Sequence, residues 1–403
     1  MSQFVAGHTV TLLEGGGEFF PALINALDAS RTEVRLETYI FEFDVSGEAV
    51  AFALARAAQR GVVVYLVMDG IGTPQVPPVW AKRFDQAGVQ WHLFSPLGRL
   101  GLLIPGRWRR MHRKLCVVDG HIAFCGGINI LDDWNDPNYG AMSSARFDFA
   151  VQVQGPLVMD VQATMVQFWV RLQAARGLER LQFDSARVML KDMLSQKSPQ
   201  ARSAAEVGVP DGAISAALVL RDNLRNRNRI ERAYYKAIGE ARTEVLIANA
   251  YFVPGARMRR ALIHAARRGV RVRLLLHGSY EYFMQFHAAR PFYGALLAAG
   301  VQIYEYKPGF LHAKVAVVDG HWATVGSSNL DPLSLQLARE ANIVVDDKGF
   351  AQRLQRQLES AIAGSSDPLD PQTYAARPLR LRVLDQLAFA VMQVVLFLTG
   401  RRY

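Results

Sequence analysis

Residues 112–129 read HRKLCVVDGHIAFCGGIN, and residues 312–329 read HAKVAVVDGHWATVGSSN. Both stretches fit one pattern without a gap, H-x-K-x4-D-x6-G-[GS]-x-N. A single H-x-K is usually an accidental surface pair, but two complete matches in one chain are a specific signal. The shared polar positions are His112, Lys114, Asp119 and Asn129 in the first stretch and His312, Lys314, Asp319 and Asn329 in the second.

Each stretch predicts a β-hairpin with a basic pocket at its open end. Alternation along a strand places the histidine and the lysine of H-x-K on one face. The Asp-Gly pair between two apolar runs indicates a tight turn, which favours a structural role for Asp119 and Asp319. The returning strand ends in Gly-[GS]-x-Asn, which adds small residues and an amide near the same end. Imidazole, ammonium and amide groups together suit a phosphate.

The sequence around the two hairpins is also repeated. RTEV occurs at 31–34 and again at 242–245, each time followed by an apolar run, LETYIFEF or LIANAYFVP. Next come Ala/Arg-rich segments that end in glycine, LARAAQRGV and IHAARRGV, then a β-rich run and a second helix closing with AGV. Alternating helices and apolar strands are typical of a sheet covered by helices on its faces.

The repeat predicts an α/β fold of two pseudo-symmetric domains, each a mostly parallel mixed sheet flanked by helices, with the active site at their interface. We expect an N-terminal domain over 1–195 and a C-terminal domain over 213–365. The polar stretch at 196–212 is typical of a linker. Residues 366–403 form a basic and apolar tail.

Composition limits the possible functions. The 403 residues include 46 Lys and Arg against 36 Asp and Glu, a net charge of +10, which is either a general richness in arginine or a sign of an anionic partner. The two cysteines, Cys116 and Cys125, exclude a disulfide scaffold. They fall on the two strands of one predicted hairpin, so a bond is conceivable, but free buried thiols are favoured.

Several motifs are missing from the sequence. The first residues lack a basic region followed by an apolar one, so no secretory signal is predicted, and no apolar run reaches the length of a spanning helix. The glycines at 15–17 are not followed by G-K-[ST], and neither C-x-x-C nor H-E-x-x-H occurs. We therefore expect no nucleotide, no other cofactor and no metal.

The duplicated pattern resembles the HKD motif of the phospholipase D superfamily, and the chain is most similar to the bacterial cardiolipin synthases of the B type. The resemblance extends over nearly the whole length, including LETYIFEFDVSG, RDNLRNRNRIERAYYKAI and SSNLDPLSLQLAREANIVV. It implies a two-step displacement at phosphorus through a phosphohistidine. By the same analogy His112 is the nucleophile and His312 the general acid and base.

The resemblance also implies roles for the other polar positions. Lys114 and Lys314, with Asn129 and Asn329, would hold the non-bridging phosphate oxygens. Asp119 and Asp319 complete the motif.

Each histidine also needs an acceptor for its second nitrogen. Glu340, in AREANIVV, stands at the family position in the second half, and Asp148, in ARFDFAVQV, is its counterpart in the first. Gly127 stands where the second half has Ser327, so only one half offers a hydroxyl at that point.

Two segments favour a lipid partner over nucleic acid. Roughly a dozen extra residues precede His112, in SPLGRLGLLIPGRWRR, and mix apolar and aromatic residues with arginines, a composition suited to an anionic bilayer surface. A self-packed loop is the alternative. The tail is strongly apolar from Leu387 to Leu398, with arginines at both ends, but Asp385 and two glutamines interrupt it. It fits an interfacial helix or a hydrophobic hairpin partner, and a buried terminal helix is the alternative.

The expected activity is transfer of a phosphatidyl group between two phosphatidylglycerol molecules, giving cardiolipin. Hydrolysis to phosphatidic acid by the same residues is the alternative, followed by a metal-independent nuclease and a non-catalytic membrane-binding protein. Nuclease activity would predict aromatic residues interleaved with a basic groove, whereas RDNLRNRNRIER opens a helix. The resemblance implies a peripheral location on the cytoplasmic side of a bacterial cell membrane, and no partner protein is inferable.

Overall fold

The computed structural model describes residues 4–96, 108–137, 140–179, 213–222, 226–278, 283–331, 338–365 and 367–398. The strands are β1 (Val5–Glu14), β2 (Glu33–Thr38), β3 (Val63–Asp69), β4 (Gln90–Phe94), β5 (Arg110–Met111), β6 (Lys114–Val118), β7 (Ile122–Gly126), β8 (Asn135–Asp136), β9 (Gly140–Ala141), β10 (Phe149–Gln154), β11 (Ile214–Arg221), β12 (Glu244–Asn249), β13 (Arg271–His277), β14 (Gln302–Tyr306), β15 (Lys314–Val318), β16 (Trp322–Gly326) and β17 (Ala338–Asp346). The helices are α1 (Gly15–Ala29), α2 (Val45–Gln59), α3 (Pro78–Ala87), α4 (Leu157–Glu179), α5 (Arg229–Glu240), α6 (Ala256–Arg267), α7 (Phe283–Ala289), α8 (Tyr293–Ala298), α9 (Lys348–Ala363), α10 (Pro371–Ala375) and α11 (Leu379–Leu398).

One continuous sheet joins the two halves of the chain edge to edge. Its order is β14-β13-β12-β15-β16-β17-β11-β1-β10-β7-β6-β2-β3-β4. Counted outward from the β11–β1 junction, each half continues with the same sequence of equivalent strands. The internal repeat and the α/β fold predicted from the sequence are therefore confirmed. The predicted linker at 196–212 lies outside the described residues.

The sheet is mixed, as expected, but apart from the short pairing of β5 with β17 its parallel part lies in the three outer strands of each half. Strands β2, β3 and β4 are parallel to one another, and so are β12, β13 and β14. The inner strands β6, β7 and β10 pair antiparallel. The reason is connectivity: the outer strands are linked through helices, whereas the motif strands are linked by a tight turn.

The repeated glycines end the helices that cross between parallel strands. Gly61 after α2 and Gly269 after α6 have φ of 90° and 89°. Gly88 after α3 and Gly300 after α8 have φ of 86° and 87°. A left-handed φ is costly for residues with a side chain, so glycine at these points lets the chain leave the helix and enter the next strand.

Both predicted hairpins form, and their aspartates fasten the turn to the neighbouring strand. Asp119 has φ of 52° and Asp319 has φ of 50°, each followed by a glycine with positive φ. The Asp119 carboxylate accepts hydrogen bonds from the amides of Arg31, Thr32 and Glu33 at 2.8 to 3.0 Å. The second half repeats these contacts between Asp319 and 242–244. The repeated RTEV is thus the partner of the motif aspartate.

The motif strands are buried on both faces. Leu115 and Val117 of β6 lie in one apolar cluster with Val315 and Val317 of β15, so the halves share a core. The alternate residues of β6 face a second cluster, built with the helices of the first half. Burial on both faces explains the unbroken apolar runs of these strands.

The two cysteines are free and buried, as the sequence favoured. Cys116 belongs to the cluster beneath the first-half helices, whereas Cys125 belongs to the core that the halves share. Their side chains therefore lie on opposite faces of the sheet, which separates them although their strands are paired.

The tail forms α10 and α11, and α11 packs on the second half. Ala388 and Met392 are buried, and Phe389 contacts Phe292 edge to face at 4.9 Å between ring centroids. Within the described ranges, none of the helices combines the length and the apolarity that crossing a membrane requires.

Asp119→Ala should lower the free energy of unfolding by about 2 kcal/mol, because several donors lose a charged acceptor. Partial burial alone would raise the pKa of Asp119, but hydrogen bonds from Glu33 and Thr32 lower it overall. A lowered folded pKa means that the stabilisation is complete above the unfolded value near ~3.9 and disappears as pH falls through the folded pKa.

Chemical denaturation at several pH values measures this difference. Asp367→Ala, at an exposed aspartate, is the control and should leave stability unchanged. An equal effect of both substitutions at neutral pH would contradict the anchoring role of Asp119.

Candidate active site

The two motif histidines lie at the same edge of the sheet, where β6 and β15 begin. His112 lies between β5 and β6, two residues before Lys114, the first residue of β6. Tyr39, just after the carboxyl end of β2, contacts the His112 ring at 4.8 Å between centroids. In the second half Lys314 is paired in register with Asn249, the last residue of β12. Each motif therefore begins where the parallel strand beside it, β2 or β12, ends.

Each histidine is held by a carboxylate from the opposite half. His112 Nδ1 lies 3.0 Å from Glu340 Oε1, and His312 Nδ1 lies 2.6 Å from Asp148 Oδ2. Both carboxylates are essentially inaccessible to solvent. Because Nδ1 is engaged in both rings, Nε2 is the nitrogen left for chemistry.

Backbone hydrogen bonds also connect each histidine to the opposite half. The amide of His112 donates to Arg339 O at 3.1 Å, and the amide of His312 donates to Phe147 O at 2.9 Å. Each acceptor immediately precedes the orienting acid. Sequence analysis placed one acid in each half, and the structure pairs each acid with the histidine of the other half.

The two lysines are buried beside the histidines. Lys114 Nζ donates to His112 O at 2.8 Å, and Lys314 Nζ donates to His312 O. Burial lowers the pKa of Lys114 to about 7 and that of Lys314 to about 8, while Glu340 and Asp148 act in the opposite direction. An anion bound between these ammonium groups would favour their charged forms.

The pKa values of the two histidines and of Asp148 are also shifted. Burial lowers the pKa of His112 and lowers that of His312 well below its ordinary value, and both lysines act on both rings in the same direction. Burial raises the pKa of Asp148 to about 7. Both shifts favour the neutral form of the imidazoles, and the crossed pairs with Glu340 and Asp148 join the two motifs.

The difference between Gly127 and Ser327 has a steric cause. Ser327 Oγ donates to Glu340 Oε2 and accepts from the amide of Ala341 at 3.1 Å. In the first half, a Cβ on Gly127 would lie 2.3 Å from Asp148 Oδ1. The carboxylate that holds His312 therefore occupies the space that a serine at 127 would need.

The motif asparagines are buried near the same edge. Asn129 Oδ1 accepts from the amide of Ile40 at 3.2 Å, which leaves its NH2 group as the free end. Asn329 is 2 % exposed, and its buried Oδ1 has no hydrogen-bond partner in the part of the chain that the structure describes. The two amides are therefore held differently.

The motif aspartates are the predicted site residues that the structure keeps apart from the histidines. Asp119 and Asp319 follow the last residues of β6 and β15, five positions beyond the motif lysines. At about 3.3 Å per residue this separation is roughly 16 Å. Their hydrogen bonds go to the turn partners described above, which agrees with a structural role.

Two residues near the histidines were missed by sequence reasoning. Tyr39 packs against His112, and Lys114 Nζ lies 5.4 Å from the centroid of the Tyr39 ring. Arg146 is buried, pairs with Asp136 at 3.0 Å and lies 4.4 Å above the ring of Phe310. Tyr39 lies in LETYIFEF, but the repeat has alanine at the equivalent position, so comparison of the halves did not reveal it.

The chain belongs to the family described as cardiolipin synthase, phospholipase D-like domain, whose model matches residues 23–145 and 234–362. It is 39% identical over 364 residues to cardiolipin synthase B of Escherichia coli strain K12, covering 90% of this chain and 83% of that protein. It is 30% identical over 379 residues to a cardiolipin synthase of Geobacillus thermodenitrificans, covering 94% and 70%.

Among solved structures, the fold resembles phosphatidylserine synthase of Haemophilus influenzae Rd KW20, with a TM-score of 0.69. The match covers 99% of this chain and 96% of that one at 13% identity, so the likeness is one of fold. The family resemblance inferred from the duplicated motif is therefore confirmed.

Gly127→Ser should lower turnover of a phosphodiester about 100-fold, because the new side chain displaces Asp148 from His312, and small displacements of catalytic groups have effects of this size. Ser327→Gly is the matched control, since it removes a hydrogen bond to Glu340 without crowding the site, and should have a much smaller effect. Steady-state kinetics with histidine NMR of both variants measures this. Equal losses would contradict the steric explanation.

Proposed function

We propose that this chain transfers a phosphatidyl group from one phosphatidylglycerol to a terminal hydroxyl of a second, giving cardiolipin and glycerol. It is an enzyme of the phospholipase D type and a phosphatidyltransferase. One observation carries the proposal: a single chain brings two histidines together, each held through Nδ1 by a buried carboxylate of the opposite half. That arrangement suits a displacement in two steps, since one imidazole can attack while the other moves protons.

In the first step His112 Nε2 attacks the phosphorus of the donor lipid. A P–N bond forms, the P–O bond to glycerol breaks, and the leaving oxygen takes a proton from His312. Glu340 orients His112 and stabilises the positive charge that develops on its ring. Burial lowers the pKa of His112, which favours the neutral ring whose lone pair attacks.

In the second step His312 accepts the proton of the incoming hydroxyl, and the hydroxyl oxygen attacks phosphorus. The P–O bond of the product forms, the P–N bond breaks, and His112 becomes neutral again. His312 loses a proton in the first step and regains one in the second, and Asp148 beside it stabilises the protonated ring. An anionic phosphodiester near His312 offsets the field of the lysines, which favours the protonated ring that the first step needs.

The lysines and asparagines would hold the phosphate. Lys114 and Lys314 supply two positive groups in a buried site, where electrostatic attraction is stronger than in water. Asn129 and Asn329 would add amide donors to the non-bridging oxygens, and Ser327 orients Glu340. Asp119 and Asp319 act through the turns rather than on the substrate.

The domain division and the location belong to the same proposal. The chain is divided into a domain over 1–195, a linker over 196–212, a second domain over 213–365 and a tail over 366–403. The substrates are anionic phospholipids, so the protein works at a bacterial cell membrane, bound peripherally on the cytoplasmic side. The apolar and basic insertion before His112 supports this by composition, although 97–107 lie outside the described residues.

Incubation of the purified protein with phosphatidylglycerol vesicles tests the reaction. Mass spectrometry should find cardiolipin and glycerol in equal amounts, and His112→Ala and His312→Ala should each reduce the rate at least about 1,000-fold. His321→Ala is the matched control, because its side chain is 56% exposed and pairs with a surface aspartate. Phosphatidic acid as the sole product would replace the synthase by a hydrolase, and degradation of single-stranded DNA without lipid turnover would indicate a nuclease.

The order of the histidines has a separate test. A p-nitrophenyl phosphodiester has a leaving group that needs no proton, so His312→Ala should still form the intermediate but fail to pass it on. Mass spectrometry of peptides kept at alkaline pH should then find phosphate on His112. Phosphate on His312 in His112→Ala instead would reverse the two roles.

A further inference from the structure

Helix α11 presents an apolar face to solvent. Its outward positions follow one another at helical spacing and are 48% to 72% exposed. They are Leu379, Val383, Leu387, Val391 and Val394. Intervals of four and three residues place these five side chains on one stripe of the helix. We call them the α11 stripe.

The opposite face of α11 is fixed to the second half and carries the acid. Asp385 is 2% exposed, and its carboxylate lies 2.6 Å from His287 Nδ1 of α7 and 3.1 Å from Arg377 Nη1. Ala388 and Met392, one and two turns further on, are buried beside it. Asp385 therefore interrupts the apolar run in the sequence because it anchors the helix, not because it faces water.

The outward face of α11 differs from that of an ordinary surface helix. Such a helix directs its charged residues outward and its apolar residues toward the core. In α11 the paired acid is inside and five apolar side chains are outside. A contiguous exposed patch of this kind marks a surface that another phase or molecule covers.

We propose that the α11 stripe docks the enzyme on an anionic phospholipid bilayer, with α11 lying in the plane of the interface. The charges near the stripe favour this occupant: Arg380 and Arg382 are exposed beside its first turn, and Arg401 and Arg402 follow the helix in sequence. Apolar residues that enter the acyl boundary, with cations at the headgroups, are what an interfacial helix requires.

A second copy of the chain fits this surface less well. Because Arg380 and Arg382 are exposed beside the first turn of the stripe, pairing two such helices in the same direction would bring like charges together. A bilayer rich in anionic headgroups neutralises the same charges. The exposed arginines beside the α11 stripe therefore favour an anionic lipid surface over a second copy of the chain.

The docking face is linked to the catalytic edge of the sheet. Helix α7, on which α11 packs through His287, follows β13 in the chain. The last residue of β13, His277, accepts a hydrogen bond from the amide of Leu311 at 3.3 Å, next to His312. The purpose of docking, delivery of lipid to that edge, rests on the proposed function; the docking itself does not.

Sedimentation with vesicles tests the inference in the full-length protein. The double variant Leu387→Ser/Val391→Ser should bind phosphatidylglycerol vesicles at least about tenfold more weakly than wild type, because two interfacial anchors are lost. Arg380→Gln/Arg382→Gln should weaken binding at low salt and flatten its salt dependence. Wild type should bind phosphatidylcholine vesicles poorly.

Met159→Ser is the matched control, because Met159 is 62% exposed on α4 and is not part of the α11 stripe. It follows Gln154, the last residue of β10, whereas Asp148 precedes the first residue of that strand. Thermal unfolding of each variant checks folding, and light scattering reports the oligomeric state. Unchanged vesicle binding by the folded double variant overturns the proposal, and so does a dimeric wild type that the variant converts to monomers.

Turnover of phosphatidylglycerol in detergent micelles separates docking from chemistry. The double variant should keep wild-type turnover there and lose it on vesicles. Wild type that binds vesicles but transfers no phosphatidyl group in either system would defeat the proposed function and leave the docking face standing.

Discussion

The crossed pairing of histidine and carboxylate is the constraint on which the rest of the molecule depends. Glu340 holds the ring of His112 and Asp148 holds that of His312, and the proposed mechanism needs both contacts. Each pair joins the two halves of the chain, so the halves must keep a fixed register to within hydrogen-bond distance. The shared apolar core between β6 and β15, together with the continuous sheet, provides that rigidity.

The same site carries a large desolvation cost. Two lysines, two histidines and two carboxylates are buried together, and burial is the main cause of the shifts in pKa of both lysines, both histidines and Asp148. The acids Glu340 and Asp148 offset part of the cost of burying the two lysines. In the proposed reaction, an anionic phosphate between these groups would favour the charged lysines and a protonated His312, so binding would also prepare the site electrostatically.

What the sequence could predict was decided by how local each feature is. The hairpins, the turn at Asp119 and the helix-ending glycines follow from neighbouring residues, so pattern and spacing were sufficient. The pairing of Glu340 with His112 depends on how two distant segments lie in space, which no spacing encodes. Tyr39 could not be predicted from the repeat, because the second half has alanine at the equivalent position. The glycine at 127 is explained by the position of the Asp148 carboxylate, which fills the space that a side chain there would need.

The exchange of acids between the halves has a consequence for the origin of the chain. A protein of half this length would hold a histidine on one surface and its acid on another, without a way to join them in one molecule. Two such units could complete both pairs at once by associating about a two-fold axis. In one fused chain the two copies need not be identical, and the halves here do differ, with Asp148 opposite Glu340 and Gly127 opposite Ser327.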